Sequence, residues 1–184
     1  MNPAPPGAGG VCAGQGSLGA ALVSMALRRS CGEGHPRAAY MEGRAEELDA
    51  LRRRLLELGE ADARDQARMR GLAAREDELT AEESGSLARV REASLETPLE
   101  IMETCLAALR LAAVGRSDLA GGMGCDCAVG SLALWSALEG ALELVLSSAS
   151  SFSPTELGDR LDLARFVRTE ARELLAGIRG GEAT

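Results

Sequence analysis

The chain has no lysine, one histidine (His35), two isoleucines and four aromatic residues (Tyr40, Trp135, Phe152 and Phe166) in 184 residues. Each scarcity excludes something. Without lysine there is no P-loop, no Schiff base and no lysine nucleophile. With 28 leucines against so few aromatic and isoleucine side chains, the material for strands is missing, and an all-α fold follows. Basic residues are also in deficit: 20 arginines face 28 acids, for a net charge of -8, the wrong balance for neutralising nucleic-acid phosphates. The length fits one domain over residues 1–184, ordered from about 8 to 178.

Cysteines are few and irregular. Cys12, Cys31, Cys105, Cys125 and Cys127 are odd in number and unlike a disulfide framework, so a reducing cytoplasm is expected, and the thiols of Cys125 and Cys127 read as small, buried and inert. Residues 1–27 carry no side-chain charge, yet no basic residue precedes the apolar run, and Gly and Pro dilute it. Neither an export signal nor a membrane span is expected.

What is present is helix punctuation. Thr80 with Glu83, Thr97 with Glu100, and Ser153 with Glu156 place a hydroxyl cap three residues before an acid, the capping-box spacing. Pro98 and Pro154 add a first-position proline to the second and third, so three helix starts are predicted. From Pro36 to about Gly71, Leu48, Leu51, Leu55 and Leu58 form one apolar stripe on a charged helix. Asp62 continues that stripe and is predicted to point inward, where an unpaired charge is costly.

Two segments are nearly uncharged and rich in small residues. Gly16, Ala20 and Ser24 recur every four within 9–27, as do Ala133, Ala137 and Ala141 within 126–148. This spacing lets helix backbones approach closely, so the pair is expected at the centre of the bundle or at a subunit interface. Residues 115–124 read as the intervening loop and 177–184 as a frayed tail.

Other motifs have bland explanations. Gly14, Gly16 and Gly19 match a dinucleotide fingerprint, but no strand precedes them. Cys125 and Cys127 lack the second ligand pair of a metal site, and none is assigned. Asp126, among Gly124, Cys125, Cys127 and Ala128, reads by position as a helix cap or first-turn acid, with a functional carboxylate as the other reading.

Five pieces together resemble the cyclodeaminase/cyclohydrolase family, which includes formiminotetrahydrofolate cyclodeaminases and some methenyltetrahydrofolate cyclohydrolases. Pro6-Gly7-Ala8-Gly9-Gly10-Val11, running into Gly16-Ser17-Leu18-Gly19-Ala20-Ala21, is similar to its glycine-rich opening. Glu60-Ala61-Asp62-Ala63, Thr97-Pro98-Leu99-Glu100, Cys125-Asp126 and Gly140-Ala141 follow in the family's order, over about residues 5 to 150. The departures are Gly10 for a serine, Arg28 and Leu144 for asparagines, and Glu33 for a lysine.

The resemblance implies a homodimeric bundle of long antiparallel helices that acts on a tetrahydrofolate derivative and needs no metal or redox cofactor. It assigns acid–base chemistry to Asp126 and Asp62, since a carboxylate offsets the cationic methenyl bridge and moves protons to and from water or the leaving nitrogen. Gly9, Gly10, Arg28 and Cys125 become the candidate substrate contacts, with Arg28 or Arg29 meeting the glutamate tail. Either cyclohydrolase or cyclodeaminase activity fits. The alternative, drawn from the lost polar positions, is a catalytically inactive helical relative that serves in binding or assembly.

Overall fold

The computed structural model describes residues 7–30, 36–116, 119 and 122–180. Five α-helices account for nearly all of them: α1 (Ala8–Ser30), α2 (Ala38–Ala73), α3 (Ala81–Gly115), α4 (Met123–Ala149) and α5 (Pro154–Gly180), with a 3-10 turn at Glu76–Glu78. No strand occurs among the described residues. The all-α expectation holds, and α5 extends through Gly180, where a frayed tail was expected from residue 177.

The small-residue helices set the architecture. A β-carbon on Gly19 would lie 2.7 Å from the Gly130 carbonyl oxygen, and one on Gly130 would lie 2.8 Å from the Gly19 carbonyl. Gly16 meets Ala137 and Gly140 meets Cys12, so α1 and α4 run antiparallel with their backbones in contact. The tightest point is thus a glycine pair flanking the predicted alanine register. On its other side α1 packs antiparallel to α2, where Ser24 donates to the Ala45 carbonyl and Gly16 faces Leu55. Both α1 and α4 have the length and apolarity of a membrane span, and 56% of the apolar stretch of α1 and 39% of that of α4 is buried within the bundle.

The charged helices enclose this pair. Leu48, Leu55 and Leu58 are buried and Leu51 is partly so, confirming the stripe on α2. The antiparallel α2–α3 hairpin projects further and keeps a small core of its own from Leu72, Leu87 and Val90. Its helix start is as predicted: Thr80 accepts from the Glu83 backbone N–H while Glu83 returns a bond to the Thr80 N–H.

The second predicted start is corrected. Thr97 and Pro98 lie inside α3, which passes through them unbroken, and Glu100 pairs with Arg54 instead of capping. Proline has no N–H to offer the carbonyl four residues earlier. The Ser148 hydroxyl of α4 donates to that Ser94 carbonyl at 3.1 Å, which removes the main reason for the helix to end. Pro154 does begin α5, although the side chain of Glu156 lies outside the described residues.

Glycine substitutions test the packing. Gly19→Ala forces a methyl against backbone that has no room to retreat, and a loss of about 1–3 kcal/mol in chemical denaturation is expected. Gly43→Ala, where nothing lies within 4 Å, should gain about 0.5–1 kcal/mol from helix propensity alone.

Candidate functional site

The first N–H groups of a helix have no acceptor within it. At the start of α1 one of them is satisfied from outside: the Gly10 N–H donates to Asp62 Oδ2 of α2 at 3.2 Å. The carboxylate also sits at the positive end of the α1 dipole, which favours it further. Gly9 is what lets it in, since a β-carbon there would lie 2.5 Å from the carboxyl carbon and 2.6 Å from each oxygen. On Gly7 the corresponding approach to Oδ2 is 3.4 Å, an ordinary contact.

Asp62 is 5% exposed, as its place on the leucine stripe predicts. Burial pushes its carboxyl pKa above the usual carboxylate value; the Gly10 N–H opposes the shift and the negative charge of Asp65 adds to it. Among the described residues it has no cationic partner. Cys12, one turn into α1, is buried beside it, and its thiol is pushed up by burial and by the Asp62 charge. This thiol stays protonated and is a poor nucleophile.

The carboxylate lines a cleft of about 160 Å³. One wall comes from Gly7, Ala8 and Gly9, another from Asp62, Ala63, Gln66 and Arg70 of α2. Ser94 and Pro98 of α3 and Leu144 and Ser148 of α4 complete it. The Pro98 step therefore places a carbonyl released from the helix ladder, and the hydroxyl that satisfies it, in the same wall. Leu144, named above as standing where the resembling family has asparagine, faces this cleft as an apolar group.

Asp62, Gly9 and Gly10 are thus brought together. The other sequence candidates lie elsewhere. Arg28 is near the far end of α1, eighteen residues and about 27 Å of helix from Gly10. It is occupied by Glu42 and Asp49, each at 2.8 Å, and by Ser24 at 2.9 Å. Asp126 is a partly exposed first-turn acid of α4 beside exposed Cys125, so the expectation of a buried thiol there is corrected. It stands eighteen residues, about 27 Å along α4, from Leu144 of the cleft. Among the described residues no three His, Cys, Asp or Glu side chains gather as a metal site.

Sequence reasoning missed Gln66, Arg70, Ser94 and Ser148. The first two were legible, because they follow Asp62 by four and eight residues on one helix face. Ser94 and Ser148 become part of the site only once α3 is known to continue through Pro98.

The Asp62 shift has a sign. A carboxyl whose folded pKa is raised contributes stability that is fully present below the unfolded pKa, about 3.9, and is lost as pH rises through the folded value. Asp62→Asn keeps an acceptor for the Gly10 N–H and removes the buried charge. Its denaturation midpoint at pH 7 should equal or exceed the parent's, with the advantage shrinking toward pH 4. A lower midpoint at pH 7 would make the carboxylate a structural helix cap instead.

No curated relative matches this chain by sequence. The crystal structure of formiminotetrahydrofolate cyclodeaminase from Thermotoga maritima superposes with a TM-score of 0.83 at 13% identity, covering 95% of this chain and 86% of the other. At that identity the likeness is one of fold. Residues 2–161 match the formiminotransferase-cyclodeaminase family. This chain belongs to the formiminotransferase-cyclodeaminase family.

Proposed function

We propose that this protein is a folate one-carbon enzyme, a methenyltetrahydrofolate cyclohydrolase or a formiminotetrahydrofolate cyclodeaminase, with Asp62 as a proton-transferring carboxylate. The observation that carries this reading is a buried carboxylate with a raised pKa and no counter-ion among the described residues, lining a cleft. Membership of the family and the fold shared with a formiminotetrahydrofolate cyclodeaminase supply the substrate class.

The chemistry suits such a group. A methenyl bridge is a cation delocalised over two nitrogens, and an adjacent carboxylate offsets its charge. In hydrolysis the oxygen of water adds to the bridge carbon while Asp62 takes a proton. One C–N bond then breaks and its nitrogen receives that proton, while the added hydroxyl releases its own proton to solvent and becomes the carbonyl of a formyl group on the other nitrogen. In the deaminating reaction a folate N–H closes on the formimino carbon and its proton passes to the imino nitrogen, and a further proton taken up there lets ammonia depart and leaves the methenyl cation. A carboxyl pKa raised toward the working pH favours both transfers. As proposed, the reaction uses the folate, the carboxylate and, for hydrolysis, water.

The second acid needs a second chain. Within one protomer Asp126 is remote from the cleft, so we propose a cytoplasmic homodimer that brings one protomer's Asp126 to the other's Asp62. Val11 and Leu18 of α1 and Val129 and Leu132 of α4 leave 40–73% of their surface exposed, as an interface between copies requires.

Asp62→Asn and Asp126→Asn should each fold and each lose about a hundredfold or more in turnover of methenyl- or formimino-tetrahydrofolate. Mixed and allowed to exchange subunits, the two inactive variants should recover turnover, because the heterodimer holds one intact cleft. An Asp126→Asn protein with parental turnover would leave Asp126 as a first-turn helix acid. Folate binding without turnover in the parent would support the inactive relative. A monomer in sedimentation at micromolar concentration would remove the dimer.

A further inference from the structure

The charged groups lining the cleft are Asp62 and Arg70, and they differ in every respect that governs recognition. Asp62 is buried and already accepts from a backbone N–H. Arg70 is exposed on the same wall, two helical turns and about 12 Å further along α2. The partly buried Gln66 lies midway on the same face. Among the described residues the Arg70 guanidinium has neither a carboxylate nor a hydrogen-bond partner.

That freedom contrasts with the arginines that bind helix to helix. Arg28 is held by Glu42 and Asp49, Arg54 by Glu100, Arg110 by Glu170, and Arg168 by Glu139. Arg53, Arg172 and Arg179 are also without an ion pair among the described residues, and what sets Arg70 apart from them is its place in the cleft lining. At the cleft a guanidinium instead offers five donors in a planar fork, a geometry matched by a carboxylate. The wall therefore presents an anion at its buried end and a cation at its rim, complementary to a ligand with the opposite order.

We propose that Arg70 is the carboxylate-binding end of the cleft: it holds an anionic arm of the ligand while the reacting centre lies at Asp62. The inference rests on the folate reading above and deepens it by naming the group that selects the glutamate-bearing substrate. It also takes the tail contact away from Arg28, whose guanidinium is occupied and far from the cleft. Gln66, between the two charges, is placed to bond the middle of the same ligand.

Calorimetry on the full chain tests this without relying on turnover. The probes are tetrahydrofolate and tetrahydropteroate, which share the ring system and differ by the glutamate. The parent should prefer tetrahydrofolate by about tenfold or more, the scale of a hydrogen-bonded charge pair. Arg70→Gln should abolish that preference by weakening tetrahydrofolate alone, while Arg70→Lys, which keeps the charge and loses the fork, should retain part of it. Added salt should weaken tetrahydrofolate more than tetrahydropteroate in the parent. If Arg70→Gln weakens both probes equally or neither, or if the parent binds both equally, the assignment of Arg70 is overturned and the folate reading stands. If the parent gives no heat with either probe, the folate reading fails and takes this inference with it.

Discussion

The backbone contact between Gly19 of α1 and Gly130 of α4 is the constraint from which the rest of the bundle follows. Two helices approach this closely only where neither carries a side chain at the crossing, and the close approach brings the whole length of α1 against α4. With α2 packed on its other side, α1 lies between two long helices, and its first turn is carried to the point where Asp62 emerges from the leucine stripe. A side chain at the crossing would separate α1 from α4 along their length and open the cleft wall that Leu144 and Ser148 supply.

At that first turn one carboxylate meets two requirements. The free N–H of Gly10 needs an acceptor, and a helix N-terminus favours negative charge, so an acid in this place is locally sensible. Burial works against it and raises its pKa. The balance leaves a carboxyl group that is held in position with its pKa raised by burial. Glycine at position 9 is the steric counterpart, since any larger residue would occupy the place of the carboxylate.

The proline of α3 has a similar double effect. It withholds one hydrogen bond from the helix ladder and leaves the Ser94 carbonyl for Ser148. The repair ties α3 to α4 beside the cleft, so a local defect in one helix becomes a contact between two. Polar groups reach this wall through backbone geometry as well as through side chains.

The sequence by itself determined the helical class, because its scarce aromatic residues and abundant leucines and alanines leave strands without material. It also determined the inward direction of Asp62, which follows from a helical period that needs no partner to be read. The start of α3 was legible for the same reason, as a capping box is complete within four residues. Tertiary structure decided what depends on distances between helices. The capping spacing at Thr97 looked like that at Thr80, and only the Ser148 hydroxyl on another helix explains why α3 continues there. Asp62 and Asp126 looked like partners along the chain, yet a straight α4 holds the second about 27 Å from the cleft. Arg28 and Arg70 were two arginines among 20, and the packing alone commits the first to ion pairs and leaves the second at the mouth of the cleft. Periodicity is carried by neighbours in sequence, whereas pairing and cavity lining are made by residues that meet only after the helices have packed.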